Sequence, residues 1–186
     1  MSHCLVIGGT GMLKDVSRKL GYYYDTVSVI GRNKHRMYAL SREMEHLNGN
    51  LYPLLVDYTD YEKLSYQLKN SIERYGDIDL VVSWIHSTAG EAGRLIAEKI
   101  NTAGEEFRFF DVLGSSYADP SKKDSLPEFV SLDNIKYRRV VLGFIIENNN
   151  SRWLTDEEIS SGVMDAIKND REYSIIGTTE PWDKRP

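Results

Sequence analysis

Within the span Gly8-Gly9-Thr10-Gly11-Met12-Leu13-Lys14, glycine recurs around a threonine and a cation comes after, between an apolar run at residues 4–7 and a segment of helical period. A tight turn of that composition lets backbone amides approach a pyrophosphate, while the positive end of a helix dipole stabilises its charge. The dinucleotide fingerprint has a further glycine where this chain has Lys14. Either the helix packs differently there, or the ammonium itself reaches a phosphate; a plain glycine turn is the reading without function. The next apolar run ends in Ile30-Gly31-Arg32-Asn33-Lys34, with no acid to hold ribose hydroxyls. A guanidinium at that place pairs with a 2′-phosphate through bidentate charge-assisted bonds, which favours NADP over NAD. The alternative is that Arg32 and Lys34 are solvated charges at a helix start. The missing acid also argues against S-adenosylmethionine.

Further along, Ser83-Trp84-Ile85-His86-Ser87-Thr88-Ala89-Gly90 comes after another apolar run. Of the four histidines, His86 alone falls at a strand's carboxyl end in the central part of the sheet, where open α/β folds bind ligands. Imidazole suits proton transfer near neutral pH, and a hydrogen-bonded structural histidine is the competing account. Ser87 and Thr88 have the side chains of helix caps.

These residues need elements to position them, and the apolar pattern supplies a regular alternation. Strands are expected at residues 4–7, 26–30, 51–56, 78–84 and 107–113. Between them run helical stripes: Met12, Leu13, Val16, Leu20; then Met37, Leu40, Met44, Leu47; then Leu64, Leu68, Ile72; then Ala92, Leu95, Ile96, Ile100. Thr59 with Glu62 reads as a capping box opening the third helix, and Thr155 with Glu158 as another opening a helix with Ile159, Val163 and Ile167. Continuous apolar strands separated by helix-length segments specify a parallel sheet covered on both faces. The expected fold is therefore α/β, a doubly wound Rossmann-like sheet of about seven strands, in one domain over residues 1–186.

After Leu113 the alternation breaks. Residues 117–134 contain Pro120 and Pro127 and are expected to be mostly loop. A strand at 137–146, a polar loop at 147–151, a last strand at 173–176 and a frayed tail at 180–186 complete the pattern. Trp153 beside Arg152 suits closure over a pocket, a hydrophobic staple from Trp153 or Leu154 onto the last helix being the simpler account, and Tyr22-Tyr23-Tyr24 is expected to pack where the first helix meets the second strand.

Composition narrows the function. Twenty-three Lys and Arg against 28 Asp and Glu give a net charge of −5, which argues against a nucleic-acid partner. No apolar run has the length to span a bilayer, and no signal peptide is recognisable, so a cytoplasmic location is expected. The single cysteine, Cys4, forms no internal disulfide and cannot by itself build a thiolate zinc site.

The order Val6-Ile7-Gly8-Gly9-Thr10-Gly11, Gly31-Arg32 and Val56-Asp57-Tyr58-Thr59-Asp60 resembles the short-chain dehydrogenase/reductase superfamily, in its atypical branch. The resemblance covers about the first 116 residues. It implies that Asp57 binds the adenine amino group, although Asp57 or Asp60 also suits a capping carboxylate. It implies that the turn around His86 lies beside the cofactor ribose, and that Ser115 or Ser116, in Val112-Leu113-Gly114-Ser115-Ser116-Tyr117, sits where the family's catalytic serine does. The family's Tyr-x-x-x-Lys is absent: four positions after Tyr117 stands Ser121, and four after Tyr137 stands Val141. Lys122 and Lys123 are the nearest cations to Tyr117 in sequence.

The leading expectation is an NADP-binding reductase of an unknown small-molecule substrate, with Ser115 or Ser116 orienting a carbonyl and His86 or Tyr117 supplying the proton. The other is a nucleotide-binding sensor or scaffold without turnover. The resemblance also implies a homo-oligomer, although the fourth helix carries Glu91, Arg94, Glu98 and Lys99 on its exposed side.

Overall fold

Seven strands lie side by side, all parallel, in a computed structural model that describes residues 1–86, 89–119, 121, 126–148 and 150–186. In chain order the elements are β1 (His3–Ile7), α1 (Lys14–Leu20), β2 (Thr26–Gly31), α2 (Lys34–Met44), β3 (Asn50–Leu55), α3 (Tyr61–Tyr75) and β4 (Leu80–Ser83). Next come α4 (Gly90–Asn101), β5 (Phe107–Leu113), β6 (Ile135–Leu142), β7 (Phe144–Glu147), β8 (Asn150–Trp153), α5 (Asp156–Lys168) and β9 (Tyr173–Ile176).

The order across the sheet is β3-β2-β1-β4-β5-β6-β9. Winding runs one way from β1 to β3 and the other way from β4 onward. Between β1 and β4 lies the switch point, at whose carboxyl end doubly wound folds bind ligands.

Two cores explain why the strands are continuously apolar. Cys4 and Val6 of β1 pack with α1, α2 and α5, whereas Leu5 and Ile7 pack with α3 and α4. The helical stripes point the same way, with Met37 and Leu40 of α2 toward the first core and Leu64 and Leu68 of α3 toward the second. Burying each such side chain stabilises the fold by roughly 1.5–3 kcal/mol relative to leaving it in water.

Several details differ from the pattern expected of the sequence. Asp60, not Thr59, caps α3, its side chain accepting from the Lys63 amide at 3.2 Å. Thr59 is drawn back instead, its amide and hydroxyl both donating to Asp57. The capping box of Thr155 and Glu158 on α5 forms as expected.

The apolar run expected as one strand at 137–146 divides at Gly143. β6 ends in the sheet, and β7 turns away to pair antiparallel with β8, so residues assigned to a polar loop form a hairpin. β7 is anchored at Phe144, whose backbone bridges Thr178 beyond β9.

The tail is not frayed. A 3₁₀ turn spans Trp182–Lys184, and Arg185 is hydrogen-bonded to Ser115. Of the tyrosine run only Tyr24 packs on the core; Tyr22 and Tyr23 are exposed because the chain leaves α1 along the surface. Between β5 and β6 lie short 3₁₀ turns, Ser115–Ala118 and Glu128–Ser131. No helix among the described residues is long and apolar enough to cross a membrane.

Candidate functional site

At the carboxyl ends of the central strands, the turn after β1 opens onto a cleft of about 590 Å³. Gly8 has φ +76°, a conformation that side chains resist, and it brings the turn under Trp84 at the end of β4. Gly9 is buried beneath: a Cβ there would stand 2.9 Å from Cγ1 of both Val6 and Val29 and closer still to Ser17 Oγ. Thus the glycine that seats α1 against the sheet is Gly9, while Lys14 is tied to Glu43, Nζ to Oε1 at 3.0 Å.

Gly8, Thr10, Gly11 and Met12 line the cleft, whereas Leu13 is fully buried in the core. The Gly11 amide bonds back to Gly8 O and the Lys14 amide to Gly11 O. Those of Thr10 and Met12 meet no acceptor among the described residues. Such donors on a glycine turn fit an anion in the cleft.

One end of this cleft gathers charge from β2, β3 and α2. Arg32, Asn33, Arg36, Asp57 and Tyr58 line it there, while His86, after β4, lines the same cleft. Arg32 Nη1 donates to Asp57 Oδ2 at 2.9 Å, and Asp57 Oδ1 accepts from the Thr59 amide and hydroxyl. Those bonds, Thr59's first and then Arg32's, hold the Asp57 carboxyl below its ordinary range. Asn33 caps α2 through the Arg36 amide at 3.0 Å, which sets Arg36 one turn into the helix. His86 is exposed, its ring edge-on to Trp84 at 5.8 Å between centroids, and its amide lies 3.5 Å from the Tyr58 hydroxyl.

Met12 and Trp84 also line a second hollow of about 310 Å³, reached past them from the first. Its walls include Gly114, Ser115 and Ser116 after β5, Leu142 and Gly143 at the end of β6, Trp153 and Leu154 before α5, and Arg185 from the tail. Ser115 is buried, and its Oγ accepts from Arg185 Nε at 2.8 Å. Trp153 belongs to this wall, while Leu154, just before the Thr155 cap, packs on the core that holds Ile159, as a staple would.

The structure therefore brings the glycine turn, Arg32, Asn33, Asp57, Tyr58 and His86 around one cleft, and Ser115 and Ser116 around its continuation. Tyr117 is exposed on the 3₁₀ turn and lines neither hollow. Ser87, Thr88, Lys122 and Lys123 lie outside the described residues. Sequence reasoning missed Arg36, which a helix start at Asn33 places on the same face three positions on. It also missed Arg185, for which a tail 70 residues from Ser115 carries no local signal.

A doubly wound sheet with a glycine turn opening onto a cleft at its switch point defines the class of Rossmann-type nucleotide-binding folds. No family model matches the chain, and no curated protein matches its sequence. Among solved structures it resembles a short chain dehydrogenase from Bacillus anthracis, with TM-score 0.74 and 12% identity over 96% of each chain. It also resembles a metagenomic short-chain oxidoreductase in complex with NADP, with TM-score 0.69 and 14% identity over 95% of this chain and 96% of that one. An actinorhodin polyketide ketoreductase with NADPH gives TM-score 0.71 at 12% identity, over 96% of each chain. The chain has the fold of the short-chain dehydrogenases and reductases.

Proposed function

We propose that this chain binds NADP(H) along the cleft and reduces a small carbonyl compound in the hollow beside Ser115. The observation that carries the proposal is the continuity of the site. A guanidinium-rich end at Arg32 and Arg36, a glycine turn whose Thr10 and Met12 amides meet no acceptor among the described residues, and a serine-lined end at Ser115 adjoin through Met12 and Trp84. That sequence of features matches a dinucleotide carrying a 2′-phosphate at one end. Two of the similar structures hold NADP or NADPH, which supports the choice of cofactor.

Arg32, with Arg36, takes the 2′-phosphate; Asp57 and Tyr58 flank the adenosine; Gly8–Gly11 and Met12 take the pyrophosphate. NADPH held by these residues would supply the hydride for reducing a carbonyl to an alcohol, with NADP⁺ as the other product. Ser115, with Ser116 beside it, holds the carbonyl oxygen by hydrogen bonding. His86, which lines the cleft, or Tyr117, on the turn carrying the serines, supplies the proton; neither lines the hollow itself, so the proton passes through a bridging water.

Calorimetric titration of the nucleotide-free protein with NADPH and NADH tests the cofactor, with tighter NADPH binding expected. NADPH oxidation across aldehydes, ketones and quinones then tests turnover. Undiminished turnover in a His86→Gln, Tyr117→Phe double variant would remove both proton donors from the assignment.

A second reading is a nucleotide-binding sensor without turnover. It is favoured by the absence of Tyr-x-x-x-Lys from the sequence and by the two 3₁₀ turns found among the described residues between β5 and β6. Tight NADPH binding with no oxidation by any carbonyl compound of the panel is its expected result.

A further inference from the structure

We propose that Arg185 is an anion-recognising residue of the hollow beside Ser115, and that the ligand taken there is a small carboxylate. The proposal deepens the reading of that hollow as a substrate site.

The tail is directed into this position. Thr178 bridges Phe144, its hydroxyl donates to Glu180 O and accepts from the Glu180 amide, and the turn Trp182–Lys184 closes with the Arg185 amide donating to Trp182 O. The guanidinium carbon then lies 5.3 Å from the Trp153 ring centroid and 5.2 Å from that of Trp182. Stacking of this kind fixes the plane of a guanidinium and leaves the donors along its edge available.

Arg185 Nε is used by Ser115 Oγ, and its two terminal nitrogens meet no acceptor among the described residues. Arg152, on the neighbouring hairpin, is by contrast closed off by Glu147 and Glu158. Among the described residues Asp156 is the one acid lining the hollow, and it makes no ion pair with Arg185. The remaining walls are largely apolar, from Met12, Trp84, Leu142, Leu154 and Ile159. A largely apolar hollow of about 310 Å³, bordered by an exposed guanidinium whose terminal edge no described residue occupies, suits a small organic acid, because two parallel N–H bonds match a carboxylate. With Arg185 donating to its oxygen, Ser115 keeps its own hydrogen for a neighbouring carbonyl, so a 2-oxo acid meets both residues at once.

The chain's tryptophans make this measurable. All three stand at the hollow: Trp84 and Trp153 in its wall and Trp182 against Arg185, so intrinsic fluorescence reports on this place. The probes are oxamate, an unreactive analogue of a 2-oxo acid, and its neutral counterpart oxamide. Each is titrated by fluorescence and calorimetry into the nucleotide-free protein and into the protein with NADPH.

Saturable oxamate binding without oxamide binding is expected in at least one of the two states. In R185Q, oxamate should weaken by about tenfold or more, with partial recovery in R185K, as expected for loss of a charge-assisted pair. The NADPH affinity of R185Q should stay within about twofold of the starting protein, given a fixed cofactor site. The proposal is overturned by absence of saturable oxamate binding, by oxamide binding as well as oxamate, or by equal oxamate binding in R185Q. It is also overturned if R185Q loses NADPH affinity in step with oxamate, which would make Arg185 a ligand of a cofactor phosphate. Failure of the starting protein to bind NADPH bears on the cofactor reading alone, since oxamate is read on the nucleotide-free protein too.

Discussion

Arg32 and Asp57 hold each other across the mouth of the cleft, Nη1 to Oδ2 at 2.9 Å, with the arginine side chain 80% exposed. An ion pair so open to water contributes about 0–1 kcal/mol, so an arriving phosphate can draw the guanidinium away at little cost. Arg32→Ala should weaken NADPH about tenfold, equivalent to roughly 1.4 kcal/mol, and should change NADH binding much less. Because Arg36 lines the same end, the Arg32→Ala, Arg36→Ala double variant should lose more than the single one. Titration of both nucleotides at two salt concentrations checks this. Equal loss for NADPH and NADH would mean that neither arginine reads the 2′-phosphate.

The glycines of the turn after β1 should separate stability from binding. Gly9→Ala forces a methyl group against Ser17, Val6 and Val29, in the packed interface between α1 and the sheet. Overpacking of this kind costs about 1–3 kcal/mol, which in a chain of this size lowers Tm by roughly 2–4 °C per kcal/mol. At Gly11 the nearest atom to an added Cβ is Gly8 O at 3.7 Å, an ordinary contact. Gly11→Ala should therefore leave Tm nearly unchanged while weakening NADPH, since the methyl group would stand where a phosphate approaches the amides. Thermal denaturation and titration of the two variants provide the check, and a loss of stability in Gly11→Ala with normal NADPH binding would reverse the assignment.

The winding of the sheet was legible because it is written in local pattern: apolar runs of strand length separated by amphipathic stripes. β5 and β9 match their expected bounds residue for residue. The glycine turn and Arg32 were legible for the same reason, since the end of a strand fixes where the residues just beyond it stand. Asp60 caps α3 by accepting from the Lys63 amide while Thr59 donates its amide and hydroxyl to Asp57, and a capping pattern does not resolve which of several adjacent polar residues takes the cap. The hairpin after Gly143 and the placement of Arg185 depend on Thr178 and Ser115, residues distant in the chain. Periodicity carries no information about such pairings, so the serine end of the site was only half visible.

Burial raises the Asp111 carboxyl to about 6, against which the hydrogen bond from the Tyr137 hydroxyl, 2.8 Å from Oδ2, and the charge of Arg139 act as smaller opposing influences. In the unfolded chain an aspartate titrates near ~3.9. Between those values the folded protein keeps a proton that the unfolded chain has released, so this group's contribution is present at low pH and is lost as pH rises to about 6. Urea denaturation from pH 4 to pH 7 should show that falling component, with a limiting slope of about 1.4 kcal/mol per pH unit for one proton. Asp111→Asn should remove that falling component. Tyr137→Phe removes a donor that favours the carboxylate and should carry the fall to higher pH. An unchanged slope in Asp111→Asn would assign the dependence to another group.

His3 should impose the opposite slope. Its ring is fully buried, with Nδ1 2.9 Å from Gly76 O and Nε2 2.7 Å from Ser28 Oγ, which in turn lies 2.7 Å from Ser71 Oγ. A carbonyl can only accept, so Nδ1 carries the hydrogen and Nε2 accepts from a serine hydroxyl, with Ser28 Oγ at 2.7 Å and Ser71 Oγ at 3.3 Å both in reach. A second ring proton would leave that hydroxyl without its acceptor and place a charge in the core. Burial accordingly holds the imidazole below its ordinary value of 6.5, although the bond to Gly76 and the charges of Asp79 and Asp77 pull the other way. With the folded value depressed, the unfolded chain binds the proton first, and stability should fall as pH drops below about 6.5. His3→Gln offers one donor and one acceptor that do not titrate, and it should remove this acidic loss whatever it costs at pH 7. The Asp111 and His3 components have opposite signs over neighbouring pH ranges, so in the parent protein they offset each other. Each variant should uncover the slope of the other group: Asp111→Asn a stability that rises with pH, His3→Gln one that falls.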